Sequence, residues 1–188
     1  MDRRKALQNV ALLLGGSIVG GSIFTLQGCK TEKSVNKLFT QSQIDMMDEI
    51  AETILPKTKT PGAKEAKVGA FMSVMVLDCY TEKDQQIFLE GLKTIDKLSD
   101  EKNNTGFMKA TPEQRLSLLI SLDKEQKEYQ KTKKKEDSSH YFRMMKELTL
   151  TGFFTSELGA TQALRYSAVP GKYESCAPYK KGDRAWAT

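Results

Sequence analysis

The C-terminal stretch GFFTSELGATQALRYSAVPGKYESCAPYKKGDRAWA, residues 152–187, holds the only Trp of the chain and three of its six Tyr. Pro170, Gly171 and Pro178 interrupt this stretch, so it cannot form one long helix. A disordered tail would be poor in aromatic residues, because it could not bury enough apolar surface to offset the entropy lost on ordering. We therefore expect residues 167–188 to form an irregular arm that covers either the chain's own helices or another protein.

N-terminal to the arm, apolar residues recur at helical spacing in several segments. Each segment begins at a capping residue or follows a turn, and Thr40 and Thr111 are each followed three residues later by Gln. The predicted helices begin at or just after Thr40, Lys67, Thr81, Thr111, Ser139 and Ser156. On the second of them, residues 68–79, the apolar pattern places Cys79 on the inner side.

No segment alternates apolar and polar residues for long enough to indicate a strand. Residues 123–137 are almost wholly charged, which predicts either a solvated extension of the fourth helix or a mobile loop. The sequence thus predicts an all-α fold, in which residues 40–188 form a single domain. That domain is an irregular bundle of five or six helices with the arm laid over it.

The first 28 residues have the composition of an export signal. Arg3, Arg4 and Lys5 precede an uncharged stretch, residues 6–28, with an apolar core. The paired Arg3 and Arg4 fit a twin-arginine signal, which is an address read by a receptor. Four Gly interrupt the apolar stretch, so we expect it to be a weak permanent anchor.

The sequence LQGC at residues 26–29 resembles a bacterial lipobox. We expect the thiol of Cys29 to be lipidated, and the alternative is ordinary cleavage that leaves Cys29 unmodified. Residues 29–39 would then form a tether, and the chain would be held at the periplasmic side of a bacterial membrane by its lipid.

Length and net charge limit the number of domains and the classes of function that fit the chain. The chain has 188 residues and a formal net charge of +5, and removal of residues 1–28 leaves 160 residues with a charge near +3. This length suits one domain with a real core. The charge is too small to indicate nucleic-acid binding, and the dense basic cluster at residues 131–135 is followed directly by acidic residues.

Cys79 and Cys176 are the two cysteines beyond the proposed lipid site. An oxidising compartment permits a disulfide, but pairing depends on the distance between the Cα atoms. Three alternatives remain open: a bridge between Cys79 and Cys176, buried free thiols, or a bridge from one of them to a partner subunit.

The sequence offers little catalytic chemistry. His140 is the only His, which excludes multi-His metal sites, and its neighbours favour a surface or capping role. Motifs for covalent haem attachment and for dinucleotide binding are lacking. Four carboxylates at helical spacing are interpreted as the solvated face of the first helix: Asp45, Asp48, Glu49 and Glu52. We therefore predict no catalytic, cofactor-binding or metal-ligating residue.

Several residues of the C-terminal stretch are of the types that dominate protein interfaces. Glu157 and Arg165, eight residues apart, are placed to pair with each other or with a partner. The predicted partner interface consists of Phe153, Phe154, Glu157, Arg165, Tyr166, Tyr173, Arg184 and Trp186.

Several segments resemble the gluconate 2-dehydrogenase subunit 3 family. They are GFFTSELGATQALRY at 152–166, VPGKY at 169–173, Cys176, GDRAWA at 182–187, ILP at 54–56, TPGA at 60–63 and DCY at 78–80. The resemblance implies an exported, noncatalytic small subunit without its own redox centre. It also implies a large partner of the glucose-methanol-choline type, which holds FAD and oxidises a sugar or sugar acid, with electrons leaving through the haem of a cytochrome c.

From this resemblance we expect an accessory subunit that assists export, folding or membrane attachment of the flavoprotein. One alternative is a free-standing lipoprotein that binds a carbohydrate or other periplasmic ligand, which predicts a concave, partly aromatic pocket. Another is an enzyme in its own right, which predicts a converging acid and base with shifted pKa values.

Overall fold

Five α-helices dominate the computed structural model, which describes residues 35–172 and 176–187. They are α1 Gln41–Ile54, α2 Val68–Cys79, α3 Glu82–Asn103, α4 Pro112–Thr132 and α5 Tyr141–Phe154. A 3-10 turn, Phe107–Lys109, precedes α4, and a π-helical turn, Gly159–Ala163, follows α5. Two short strands, β1 Arg165–Tyr166 and β2 Trp186–Ala187, pair in parallel. The mostly helical fold agrees with the predicted all-α class, while the predicted signal at residues 1–28 and Cys29 lie outside the described residues.

Helices α1, α3 and α4 begin where their capping threonines predicted, whereas α5 begins at Tyr141, two residues after the predicted Ser139. The Thr40 hydroxyl accepts a hydrogen bond from the Gln43 N–H at 3.4 Å, and the Gln43 side chain accepts one from the Thr40 N–H at 2.9 Å. The same reciprocal box opens α4 at Thr111, with Pro at the first helical position. At α5 the cap is His140, whose Nδ1 accepts a hydrogen bond from the Phe142 N–H at 3.2 Å. These side chains satisfy backbone donors that helix geometry leaves unpaired.

Helix α1 lies at the centre of the bundle, in contact with all four other helices. Its Met47, Ile50 and Ala51 are fully buried. Around them pack the inner faces of the neighbours, including Met72 of α2, Phe88 of α3, Leu118 of α4 and Met145 of α5. The last buried hydrophobic side chain among the described residues is Phe153, at the end of α5.

A row of carboxylates on α1 fixes the surrounding elements, and here the prediction of a solvated face was wrong for three of four residues. Asp48 accepts a hydrogen bond from the Gly69 N–H at 2.7 Å, at the start of α2. Glu52 accepts bonds from the N–H groups of Lys57 and Lys64, both at 2.9 Å, and so holds the loop that joins α1 to α2. Polar side chains on the outer face of an amphipathic helix look alike in sequence, whether they meet water or the backbone of a following loop.

Glu49 occupies the middle of this row and joins three elements. Its carboxylate contacts the Lys64 ammonium, and it lies 2.5 Å from the guanidinium of Arg115 on α4. Arg115 also donates to the carbonyls of Phe107 and Met108, at 3.0 and 2.7 Å, and its guanidinium lies 5.5 Å from the Phe107 ring centroid. Asp45 is the one carboxylate of the row that is exposed, as predicted.

Packing decides which apolar residues face inward on two helices, and on one of them, α2, the predicted inner position of Cys79 is wrong. On α4 the inner face carries Leu118, which is 1% exposed, whereas the apolar residues Leu116 and Ile120 are half-exposed. On α2 the buried line runs through Val68, Met72 and Val76 at intervals of four, so its next position is the half-buried Tyr80. Cys79 lies one residue off that line and is exposed.

Residues 123–132 continue α4, and they do more than extend it into solvent. Gln126 is 5% exposed, and the Asp123 carboxylate binds Lys146 of α5 at 2.6 Å and Lys127 at 2.7 Å. Gln126 donates a further hydrogen bond to Asp123 at 3.1 Å. This charged segment therefore ties α4 to α5.

We expect Glu49→Ala to lower the free energy of unfolding by about 2 kcal/mol, because Arg115 would keep a mostly buried guanidinium without its carboxylate. The control is Glu101→Ala, which removes an exposed carboxylate 3.6 Å from Lys97; it should cost less than about 0.5 kcal/mol. Urea denaturation measures both. Equal losses for the two variants would contradict the role given to Glu49.

Asp123 makes the free energy of unfolding depend on pH. Burial acts to raise its pKa, but hydrogen bonds from Lys127, Lys146 and Gln126 outweigh burial and lower the pKa of Asp123 from 3.8 to about 2. Because the pKa of the folded state lies below that of the unfolded state, this stabilisation is complete above about pH 4. It is lost as the pH falls from about 4 to 2.

Asp123→Asn should therefore lower the unfolding free energy by about 1 kcal/mol at neutral pH, after allowance for solvent screening, and by almost nothing near pH 2. The exposed Asp100 provides the control. The unfolding free energy of Asp100→Asn should differ from that of the wild-type chain by a small amount that stays constant across this pH range. Chemical denaturation across this pH range is the measurement. A difference for Asp123→Asn that does not shrink on acidification would refute the assignment.

Candidate docking surface

The chain leaves the helical bundle through a tight turn after α5. The Gly159 N–H donates to the Ser156 hydroxyl at 3.0 Å, and the Leu164 N–H donates to the Gly159 carbonyl at 2.9 Å. A Cβ atom at Gly159 would lie 1.9 Å from the Phe153 carbonyl oxygen, so the turn requires glycine here. Leu164 then adopts extended backbone, with φ −105° and ψ 179°, which directs the chain into β1.

The pairing of β1 with β2 brings the end of the arm back to its beginning. Arg165 lies opposite Trp186 in the register, the Arg165 N–H donates to the Ala185 carbonyl at 2.8 Å, and the Ser167 N–H donates to the Ala187 carbonyl at 3.0 Å. Backbone hydrogen bonds therefore join the two ends of this part of the chain.

Two arginines strengthen this junction. Arg165 Nε donates to the Arg184 carbonyl at 2.6 Å, and Arg184 donates to the Gln162 carbonyl at 2.6 Å. The Arg165 guanidinium lies 4.3 Å from the ring centroid of Trp186, within the range of a cation–π contact. The indole is thus positioned by a charged neighbour rather than by burial in the core.

A turn at Lys180–Asp183 reverses the loop before β2. The Asp183 carboxylate accepts from the Lys180 N–H, and the Asp183 N–H donates to the Lys180 carbonyl, both at 3.0 Å. Gly182 has φ +96°, a conformation that other residues rarely adopt, so glycine is required at this position.

The described residues of the arm add no apolar side chain to the helical core. Four large apolar side chains remain exposed on it: Tyr166 at 56%, Val169 at 82%, Tyr179 at 74% and Trp186 at 59%. No described residue after Ala163 packs against the core. We call the exposed set Tyr166, Val169, Tyr179 and Trp186, with Arg165 and Arg184, the arm surface. Of the two roles predicted for the arm, covering the chain's own helices is not seen in its described residues.

The remaining predicted interface residues do not all lie at the surface. Phe153 is 4% exposed and belongs to the core, which corrects its assignment, whereas its neighbour Phe154 is 39% exposed. Glu157 is exposed but forms no ion pair with Arg165 in the described part of the chain. The π-helical turn and the extended Leu164 place these two on different elements. Tyr173 lies outside the described residues.

The cysteines remain separate. Cys79 carries a free thiol at the end of α2, so it is not bridged to Cys176, which lies exposed on the arm. This corrects the expectation of buried thiols, and it leaves the bridge to a partner as the prediction that exposure permits.

A concave site within the domain is formed mainly by polar groups. A cavity of about 360 Å³ lies where α2 meets α3, between those helices and the segment before α5. It is lined by Cys79, Tyr80, Thr81, Asp84, Glu136, Asp137, Ser138, Ser139, Met144 and Glu147. Tyr80 is its one aromatic residue. The lining does not match the aromatic pocket that the ligand-binding alternative predicted.

The titratable groups with shifted pKa values have structural explanations. Burial raises the pKa of Asp48, against the lowering effect of the Gly69 hydrogen bond and of Lys64. Burial also raises the pKa of Tyr80, and it raises that of Tyr141 to about 12. Within the described ranges, His, Cys, Asp and Glu side chains do not gather into a group of three that holds a metal ion.

Hydropathy adds one further observation. In the described part of the chain, no helix combines the length and apolar content that crossing a membrane requires.

No described residue of the arm belongs to the apolar core. A chain that ends at Tyr166 should therefore keep its helical circular dichroism and lose no more than about 1 kcal/mol of stability. A chain that ends at Thr151 is the control, since it also removes the buried Phe153 and should lose cooperative unfolding. Thermal melts followed at 222 nm compare the two. Loss of helicity in the first truncation would show that the arm is part of the folding unit.

The comparisons with known proteins give one match. The family described as gluconate 2-dehydrogenase subunit 3 matches residues 41–171, from the start of α1 to the first part of the arm. Curated proteins gave no match, and solved structures gave none either. The match covers well over half of the chain, and it confirms the resemblance found in the sequence. The chain belongs to the gluconate 2-dehydrogenase subunit 3 family.

Proposed function

We propose that this chain is the noncatalytic small subunit of an exported, membrane-associated, FAD-dependent dehydrogenase that oxidises a sugar or sugar acid. In this proposal the arm surface docks onto the large flavoprotein subunit. The FAD belongs to that partner, a cytochrome c haem receives its electrons, and this chain holds no cofactor.

The observation that carries the proposal is the exposure of the arm's aromatic side chains. Trp186 and Tyr166 are each more than half exposed, although the bundle beside them has a closed apolar core. Four large apolar side chains are thus exposed within one short segment, and Trp, Tyr and Arg are the residues that contribute most to interface affinity.

The junction of the arm also prepares it for binding. Backbone pairing of β1 with β2 and the stacking of Arg165 on Trp186 hold the indole in one position before any partner arrives. Side chains that are ordered in advance lose less conformational entropy on association, so more of the contact energy appears as affinity.

Membership of the family supports the identity of the partner, because the family is that of a dehydrogenase subunit. The expected twin-arginine signal at Arg3 and Arg4 suits export of a folded complex, in which this chain supplies the address and the flavoprotein travels with it. The expected lipid on Cys29 would then hold the complex at the periplasmic side of the membrane. Assistance to export, folding and anchoring follows from these elements together.

The test is purification of the tagged full-length chain from membranes in mild detergent. The proposal expects one large chain in stoichiometric amount, with the absorbance spectrum of a flavin. A colourless single chain at native expression would contradict it.

Trp186→Ala should weaken this complex by about 2 kcal/mol or more, roughly thirtyfold in dissociation constant, since an exposed aromatic anchor is lost. Leu116→Ala is the matched control, because Leu116 is also a half-exposed apolar residue but lies on α4. The yield of flavoprotein across a dilution series measures both variants. Equal retention by the two variants would exclude the arm surface as the docking site.

A further inference from the structure

The charges of the arm differ from those of the helical domain. The described residues of β1 and the arm together, 165–172 and 176–187, carry five cationic side chains and one carboxylate, that of Asp183. The cationic residues are Arg165, Lys172, Lys180, Lys181 and Arg184. Glu174, between the two described ranges, brings the net charge of residues 165–187 to +3.

None of these five cations forms an ion pair in the described part of the chain. In the helical domain, by contrast, Lys64, Arg115 and Lys146 each contact a carboxylate. The single described carboxylate of the arm, Asp183, already accepts from the Lys180 backbone N–H and closes the turn there. Among the described residues, no carboxylate side chain therefore pairs with the positive charges of this segment.

The two arginines keep donors available for a ligand. Arg165 uses Nε for the Arg184 carbonyl, and Arg184 uses one terminal nitrogen for the Gln162 carbonyl. Their other N–H groups have no hydrogen-bond partner in the described chain. A guanidinium held in place by one backbone bond is well suited to receive a carboxylate through its remaining N–H groups.

The strand geometry separates the apolar residues onto two faces. Arg165 lies opposite Trp186 in the parallel register, so these two share one face of the short sheet. Tyr166 is the next residue along β1, and successive residues of a strand point to opposite faces. A flat surface such as a lipid bilayer meets one of these faces, whereas a cleft in a protein meets both.

We propose that the arm inserts into an acidic cleft of a protein partner, in which carboxylates face Lys180, Lys181 and Arg184 and in which Trp186 is buried. The identity of that protein as the large flavoprotein subunit rests on the proposed function. Opposite charges on the two surfaces speed their encounter and make the association sensitive to salt.

The experiment compares the full-length chain with Lys180→Glu/Lys181→Glu in the membrane purification. The control is Lys134→Glu/Lys135→Glu, which reverses two exposed lysines in the segment between α4 and α5. Each is washed at low and at high NaCl, and retained flavin absorbance is measured. The inference expects the wild-type chain and the control to retain the flavoprotein at low salt and to release it at high salt. The arm variant should bind about tenfold more weakly at low salt.

The outcomes separate this inference from the proposed function. Equal, salt-independent retention by all three chains would overturn the acidic cleft and leave the accessory-subunit function standing. If the wild-type chain retains no flavoprotein, both the inference and the proposed function fail.

The three chains are also mixed with phosphatidylglycerol vesicles and with phosphatidylcholine vesicles. Arm-dependent binding to the anionic vesicles, without retained flavoprotein, would show that the basic arm binds membrane and not a protein cleft.

Discussion

The arrangement of the domain depends on three carboxylates that face outward from α1. Asp48 holds the start of α2, Glu52 holds the loop before it, and Glu49 joins that loop to α4 through Lys64 and Arg115. Each carboxylate accepts hydrogen bonds from groups that would otherwise lose their partners on leaving water. Apolar packing of α1 against its four neighbours provides the larger part of the stability, and these polar contacts determine how the neighbours are placed.

The buried core closes around α1 and its last large side chain is Phe153, so the described residues of the arm take no part in it. The arm leaves through the turn at Gly159 and is joined to itself by the β1 and β2 strands and by two arginines. Such a junction is polar, so it orders the arm without burying Tyr166, Tyr179 or Trp186. Because the polar junction keeps these rings at the surface, they are available to another protein. The local geometry thus supports the accessory role proposed for the chain.

Much of the fold followed from local signals in the sequence. The reciprocal bonds of Thr40 and Thr111 depend on residues three positions apart, and helical periodicity depends on neighbours within a turn or two, so both are visible without tertiary information. What the sequence left undetermined depended on distant contacts. The carboxylates of α1 were interpreted as solvated because their partners lie in the following loop, at the start of α2 and on α4. The apolar spacing on α4 likewise does not decide between neighbouring leucines, and packing buries Leu118 while Leu116 stays half-exposed.

The docking surface was predicted only in part for the same reason. The aromatic and arginine content of the arm pointed to an interface, and Tyr166, Arg184 and Trp186 do lie at the surface. Phe153 was included because it precedes the arm in sequence, but the end of α5 buries it. The basic residues Lys180 and Lys181 were missed, although the excess of Lys and Arg over acidic residues in the arm was a signal that could have found them.

The most direct test of the central claim is hydrogen–deuterium exchange of the arm, measured on the isolated chain and on the complex purified from membranes. The account predicts that amides between Arg165 and Ala187 exchange more slowly in the complex, while the amides within α1 exchange alike in both. Unchanged exchange in the arm, with protection appearing on the helices instead, would contradict the claim that this chain binds its partner through the arm surface.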